Sequence, residues 1–134
     1  MLKKLTILSL ALVLFGSCLK DDDPIFNYEL LPVDEAILPA SFTFGAQDTI
    51  AIKYTLKNSC YLFDNLYYEY QDTARIVAVN ALVSLDVTCA EIISQKEYKF
   101  VVNVEQEEDY VFKFWKGTDS NGENIFEEFI VPVN

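Results

Sequence analysis

The chain has 134 residues and a formal net charge of −11, and 51% of its residues are apolar and 14% aromatic. This length and apolar content predict one packed domain and argue against two domains or intrinsic disorder. The acidic excess repels phosphate backbones, so a nucleic-acid partner is not expected. The chain contains no histidine, which removes the commonest general base and metal ligand.

The first 17 residues are typical of a signal peptide. The leader begins with a basic Lys-Lys pair, continues as the apolar segment 5–15 and ends at the small-residue cleavage site Gly16-Ser17-Cys18. Its apolar run of 11 residues is shorter than the roughly 20 that a membrane-spanning helix needs. We therefore expect a signal peptide that is cleaved directly before Cys18, as in lipoproteins. The alternative is an ordinary secretory signal peptide. Loss of the two lysines brings the net charge from −11 to −13.

Residues 13–18, Val-Leu-Phe-Gly-Ser-Cys, resemble a lipobox in which Phe15 stands where leucine is the commonest residue. The resemblance implies that Cys18 carries acyl chains such as palmitate, which hold the mature protein to a membrane. The tether that follows, residues 18–24, is similar to the acidic sequence that directs lipoproteins of Bacteroidota to the cell surface of the outer membrane. A solvated spacer is the alternative interpretation of this tether. Its relevant residues are Lys20, Asp21, Asp22 and Asp23.

Two cysteines, Cys60 and Cys89, remain once Cys18 is assigned to lipid. In an exported protein such a pair favours a disulfide. A closed loop of about 30 residues predicts about 3.5 kcal/mol of stabilisation through lost chain entropy. A metal site or a reactive thiol is the alternative, but without histidine two thiolates make a poor zinc site and lack an activating imidazole. We expect no cofactor.

From residue 25 to residue 134 the sequence predicts a single all-β domain. The segment 25–39 contains Pro32 and Pro39 and is expected to be extended, edge-like chain. Beyond a short strand at 41–44, apolar and polar residues alternate with a period of two, which is typical of half-buried strands. The predicted strands are 49–57, 65–71, 75–85, 97–104, 110–116 and 125–133. Only the segment 87–95 could hold a helical turn.

Two turn sequences connect these segments as hairpins: Gln-Asp-Thr-Ala at 71–74, and Asn121-Gly122 within 117–122. About seven strands with regular turns favour an immunoglobulin-like antiparallel β-sandwich. Tyr110, which follows an acidic corner at 105–109, resembles a tyrosine corner, in which the hydroxyl bonds back across the turn. Five aromatic residues are assigned to the core: Tyr68, Tyr70, Phe100, Phe112 and Phe114.

A second resemblance covers nearly the whole domain. Asn-Ser-Cys-Tyr-Leu-Phe-Asp, Tyr-Tyr-Glu-Tyr, Thr-Ala-Arg-Ile-Val-Ala-Val, Thr-Cys and Tyr-Val-Phe-Lys-Phe-Trp-Lys-Gly occur in this order, at 58–64, 67–70, 73–79, 88–89 and 110–117. In order and spacing they resemble the C-terminal β-sandwich of NigD-like lipoproteins of Bacteroidota. Those proteins carry an additional N-terminal barrel that this chain is too short to contain. The resemblance implies a lipid-anchored sandwich and no established reaction.

The sequence contains few candidate catalytic or metal-binding side chains. Glu107 and Asp109 could resemble a glycosidase acid pair, but such a pair must flank a cleft, which sequence spacing does not show. We therefore predict that the chain is not an enzyme. Asp119, Asn121 and Glu123 could offer oxygen ligands to a calcium ion, but the twelve-residue EF-hand spacing is missing and Asn121-Gly122 is sufficiently explained as a hairpin turn.

The favoured function is a non-catalytic structural or protein-interaction module of the cell envelope. The alternative is a glycan-binding accessory protein, because sugar rings stack on exposed aromatic faces beside polar groups. The candidate residues for such binding are Tyr61, Tyr67 and Trp115.

Overall fold

A computed structural model describes residues 22–134, which form eight β-strands and no helix. The predicted signal peptide 1–17 and the residues Cys18, Lys20 and Asp21 lie outside this range, whereas Asp22 and Asp23 are exposed at its start. The strands are β1 (Phe26–Leu31), β2 (Glu35–Ile37), β3 (Gln47–Leu56), β4 (Tyr61–Gln71), β5 (Ala74–Ser84), β6 (Ser94–Asn103), β7 (Tyr110–Thr118) and β8 (Asn124–Val131).

The strands form two packed sheets, which confirms the predicted all-β sandwich. The larger sheet has five strands with β5 at its centre, and the smaller sheet has the order β2-β3-β6. β4 lies along one edge of β5. The other edge is shared, because β1 pairs antiparallel with Val79–Ser84 and β7 pairs parallel with Ala74–Val77. The fold therefore has eight strands instead of about seven, and one parallel pairing in a sandwich expected to be antiparallel.

The burial of each strand follows from its place in the sandwich. In β3, Ile50, Ile52, Tyr54 and Leu56 are buried and the residues between them are half-buried, as the alternation predicts. β5 is almost wholly buried from Ala74 to Ala81 because it has neighbours on both edges and the smaller sheet against one face. The chain passes from the larger sheet to the smaller one at Pro32, between β1 and β2.

An aromatic column on β7 forms the centre of the core. Tyr110, Phe112 and Phe114 are at most 2% exposed, and consecutive ring centroids lie 5.9 and 6.1 Å apart. Phe42 packs its edge against Tyr110 at 5.1 Å, although its segment forms only an isolated bridge to Val133 and not the predicted strand. Rings in these arrangements add to the free energy that burial of their area contributes.

Tyr110 forms the predicted tyrosine corner. Its hydroxyl donates to the carbonyl of Asn103 at 3.4 Å and accepts the backbone N–H of Glu105 at 3.1 Å. Both partners precede Tyr110 in the chain, so the bonds hold the β6–β7 connection back against the end of β6.

Both predicted hairpins are present. Gln71 pairs with Ala74 across a two-residue turn in which Asp72 has a positive φ of 53°. In the β7–β8 turn, the Asp119 carboxylate accepts the backbone N–H groups of Asn121 and Glu123 at 2.8 and 3.0 Å. The segment 87–95 contains no helical turn; it is irregular up to the start of β6 at Ser94.

The disulfide between Cys60 and Cys89 is present, with a Cα–Cα distance of 5.3 Å. Cys60 is 2% exposed, directly before β4, and Cys89 lies in the β5–β6 loop. The bridge joins the β3–β4 connection to the β5–β6 loop at one end of the sandwich. This agrees with the positions of the two cysteines between the predicted strands.

The assignment of Tyr70 to the core is wrong. Its side chain is on the predicted face but is 70% exposed, because it lies beside the β4–β5 turn on an edge strand, where the opposite sheet does not cover the ring. Tyr68 and Phe100 are half-buried along the same margin and contact each other at 5.8 Å between ring centroids.

Candidate functional site

The outer face of the five-stranded sheet brings together two of the three predicted binding residues. Tyr67 lies opposite Ala78 of β5, and Trp115 lies opposite Phe126 of β8. These side chains alternate with core residues and so point away from the smaller sheet. They line a cleft of about 140 Å³ with Leu30 of β1.

The cleft lies where β1 and β7 meet along the same edge of β5. The pairing of β1 with β5 ends at Val79, and that of β7 reaches Val77, so Ala78 marks the junction. Ala78 also lines the cleft and is 2% exposed. A small side chain between larger rings leaves a depression, and we call this site the aromatic cleft. Its lining residues are Leu30, Tyr67, Glu69, Ile76, Ala78, Trp115, Asn124 and Phe126.

The polar atoms of the two predicted binding residues in the aromatic cleft already have partners there. The indole N–H of Trp115 donates to the side-chain oxygen of Asn124 at 2.9 Å, and the Tyr67 hydroxyl donates to the Glu69 carboxylate. This second bond raises the pKa of Tyr67. The ring faces, more than the polar atoms, are therefore the surface that the cleft offers to a ligand.

Tyr61, the third predicted binding residue, does not belong to this cleft. It packs against the core, and its hydroxyl donates to the Glu29 carboxylate at 2.7 Å. The same carboxylate accepts from Lys57. Burial opposes ionisation of Glu29, but the hydrogen bonds from Lys57 and Tyr61 outweigh it and lower the Glu29 pKa. Tyr61 therefore has a structural explanation at the β3–β4 connection.

Exposed apolar side chains continue from the aromatic cleft along the same outer face of the sheet, interrupted by the polar side chains of Asn80, Lys113 and Glu128. Tyr28 of β1 and Leu62 of β4 both pair with Leu82 of β5, on the face that also carries Leu30. Surfaces of this kind on soluble proteins commonly mark interaction sites. We call this surface the outer apolar face. Its most exposed members are Phe26 (41%), Tyr28 (68%), Leu30 (39%), Leu62 (53%), Phe126 (38%) and Ile130 (62%).

The sequence predicted only some of the residues of this face. Trp115 and Tyr67 stood out as aromatic residues opposite the core, but Phe126 and Leu30 were not singled out. Their inclusion depends on strand register, which places Phe126 beside Trp115 and the end of β1 beside the end of the β7 pairing. A period of two assigns a residue to a face but does not say which strands are neighbours.

Two of the acidic residues named as candidates in the sequence, Asp119 and Asp109, have local partners. The Asp119 carboxylate is occupied by turn N–H groups, and that of Asp109 accepts the backbone N–H of Val133 at 3.4 Å. Within residues 22–134 no group of three or more metal-ligating side chains is placed to hold an ion. Over the same range there is no helix of the length and apolarity that crossing a membrane requires.

Comparison of the chain with protein-family models, with curated proteins and with solved structures found no significant match. The resemblance to NigD-like lipoproteins therefore stays a prediction from the sequence motifs.

Proposed function

We propose that this chain is a lipid-anchored lipoprotein of the outer membrane, facing the cell exterior, whose β-sandwich acts as a non-catalytic protein-interaction module. The observation that carries the interaction role is the outer apolar face, on which Tyr28 and Ile130 are 68% and 62% exposed. The partner that fits it is a protein with an apolar contact surface and a basic rim, because the chain is strongly acidic.

A protein partner fits this face better than a sugar. Sugars need free hydrogen-bonding groups beside an aromatic platform, whereas the indole of Trp115 and the hydroxyl of Tyr67 are already engaged. The surface also extends beyond the aromatic cleft to Phe26 and Leu62. Glycan binding is the second candidate function, favoured by the placement of Tyr67 and Trp115 on one cleft.

The envelope location is supported by the leader and by where the chain enters the domain. Residues 18–24, the proposed tether, lead directly into β1, which starts at Phe26. The lipid would therefore hold the sandwich by the end at which Leu85 donates its backbone N–H to Ile25 and the disulfide joins two loops. The outer apolar face begins at that end with Phe26 and Leu62 and extends along β1 to Leu30.

Site-specific photocross-linking tests the interaction face. A photoreactive phenylalanine analogue at Phe126 is expected to give one discrete protein adduct in intact cells, because that ring lies on the outer apolar face. The same analogue at Glu97, exposed on the outer side of the smaller sheet, is the matched control and is expected to give none. A Leu30→Asp change should abolish the adduct at Phe126, because it places a charge in the contact surface.

Equal adducts at both positions, or none at Phe126, would contradict the protein-interaction proposal. Saturable binding on a glycan array that is lost in Trp115→Ala and in Tyr67→Ala, with the folded state intact, would replace it with the glycan-binding role.

A Cys18→Ala change tests the anchor. The variant is expected to move from the membrane fraction to the soluble fraction, because each buried acyl CH₂ contributes about 0.8 kcal/mol to membrane binding. A variant lacking both Cys60 and Cys89 is the control and should stay with the membrane. Mass spectrometry that finds an unmodified Cys18 thiol in the native protein would refute the anchor, and full protection of the domain from protease in unbroken cells would place it inside.

A further inference from the structure

Arg75 is the one buried charged residue among residues 22–134, at 6% exposure. It forms no ion pair: the three ion pairs within this part of the chain join Lys53 to Glu35, Lys57 to Glu29 and Lys99 to Glu97. A buried charge is costly unless other groups compensate it. Its retention in so acidic a chain needs an explanation.

Neighbouring groups of the protein satisfy part of the hydrogen-bonding capacity of this guanidinium. Nη1 donates to the backbone carbonyls of Asp72 and Ala74 at 3.1 and 3.0 Å, and Nη2 donates to the side-chain oxygen of Gln106 at 2.9 Å. The rings of Tyr70 and Tyr110 lie over the guanidinium with their centroids at 4.2 and 5.2 Å. An arginine side chain has five N–H donors, so two of them remain outside these three hydrogen bonds, and no nitrogen of Arg75 is both fully buried and without a partner.

Arg75 lines a cleft of about 420 Å³ along the margin where edge strands β4 and β6 face each other. The cleft has an apolar wall and a polar rim that includes Asn103, Glu105 and Gln106. Tyr68 also lines it, and burial above all raises the Tyr68 pKa to about 12. The wall residues are Leu66, Phe100 and Val102.

We propose that this cleft binds the carboxylate of a small ligand with a flat apolar or aromatic body. The free N–H groups of Arg75 would donate to the carboxylate, since a guanidinium matches two carboxylate oxygens. The body of the ligand would lie against Phe100 and Leu66. A single negative charge fits best, because Glu105 on the rim and the overall charge of −11 repel a dianion such as phosphate.

This site is separate from the outer apolar face. Arg75 and Tyr70 pair across β4 and β5 on the inner side of the larger sheet, next to the turn at Asp72. That turn is at the opposite end of β5 from the residues that pair with Phe26, where the chain enters the domain. If the chain is tethered as proposed, this cleft faces away from the membrane. If the cleft proves not to bind a carboxylate, the protein-interaction proposal is unaffected.

Titration calorimetry with 3-phenylpropionate, its neutral amide and inorganic phosphate tests the proposal on the full mature domain. The carboxylate is expected to bind saturably and at least about tenfold more tightly than the amide, which corresponds to about 1.4 kcal/mol for one charge-assisted interaction. Phosphate should bind more weakly than the carboxylate. Equal binding of acid and amide, tighter binding of phosphate, or no binding of the acid would overturn the proposal.

Tyr70→Glu provides the sharper variant because it leaves the core untouched. It places a carboxylate above the Arg75 guanidinium, and this internal anion should weaken phenylpropionate binding at least about tenfold. Tyr70→Gln, which has the size of the Glu variant without its charge and equally lacks the ring, is the matched control, and Tyr70→Glu should bind at least about tenfold more weakly than Tyr70→Gln. Retained binding in Tyr70→Glu, with the thermal midpoint unchanged, would show that the carboxylate does not bind at Arg75.

Discussion

Phe112→Ala is expected to lower the free energy of unfolding by about 4 kcal/mol, which is a large part of the roughly 5–15 kcal/mol typical of a domain. Phe112 is 0% exposed and lies between Tyr110 and Phe114 in the aromatic column. Its ring also faces the edge of Phe42 at 6.1 Å between centroids. Truncation removes these contacts and leaves a cavity that rigid strands close only in part.

Urea denaturation followed by tryptophan fluorescence measures this change, with the slope of the transition as a check on two-state behaviour. Phe126→Ala is the matched control, because the same residue type on the outer face is 38% exposed. We expect the control to lose less than about 1.5 kcal/mol. A loss in Phe112→Ala that is no larger than the control loss would show that the column is not the centre of the core.

Removal of the disulfide is expected to lower the free energy of unfolding by about 3.5 kcal/mol. The bridge spans a sequence separation of 29 between Cys60 and Cys89, and without it the unfolded chain regains the freedom of that loop. The double variant Cys60→Ala/Cys89→Ala and the chemically reduced wild-type protein should unfold at similar urea concentrations. Thiol labelling of the non-reduced mature protein should find neither cysteine, and a reactive Cys60 or Cys89 would contradict the prediction.

Alternation in the sequence was sufficient to predict most strands and most of the core. It placed Ile50, Ile52 and Tyr54 on the buried face of β3, and Phe112 and Phe114 on the buried face of β7. These predictions succeeded because β3 and β7 each have one face on the core and the other facing outward, so that burial leaves a period of two in the residues.

What alternation could not predict is how strands neighbour one another. The shared edge of β5, with β1 and β7 end to end, leaves no local mark in the sequence. Tyr70 shows a related limit, because its face was predicted correctly and its burial was not. Whether a residue on the inner face is covered depends on the reach of the opposite sheet, which is a property of the whole fold.

The aromatic cleft and the Arg75 cleft were accessible to sequence reasoning to different degrees. Tyr67 and Trp115 were named as binding residues because large rings on an outward face are conspicuous. Arg75 was not, since in sequence it is one cation at the start of an apolar strand, and only the fold shows that no acidic group pairs with it.

The attachment of β1 along β5 has a mechanical consequence. Six consecutive residue pairs join the two strands antiparallel, from Phe26 opposite Ser84 to Leu31 opposite Val79. If the proposed tether holds the domain, a tensile load applied through it acts along this ladder, so the hydrogen bonds resist in shear and must yield together instead of opening one at a time. This geometry would let the domain stay folded while flow or a binding partner exerts a tensile force on its attachment point.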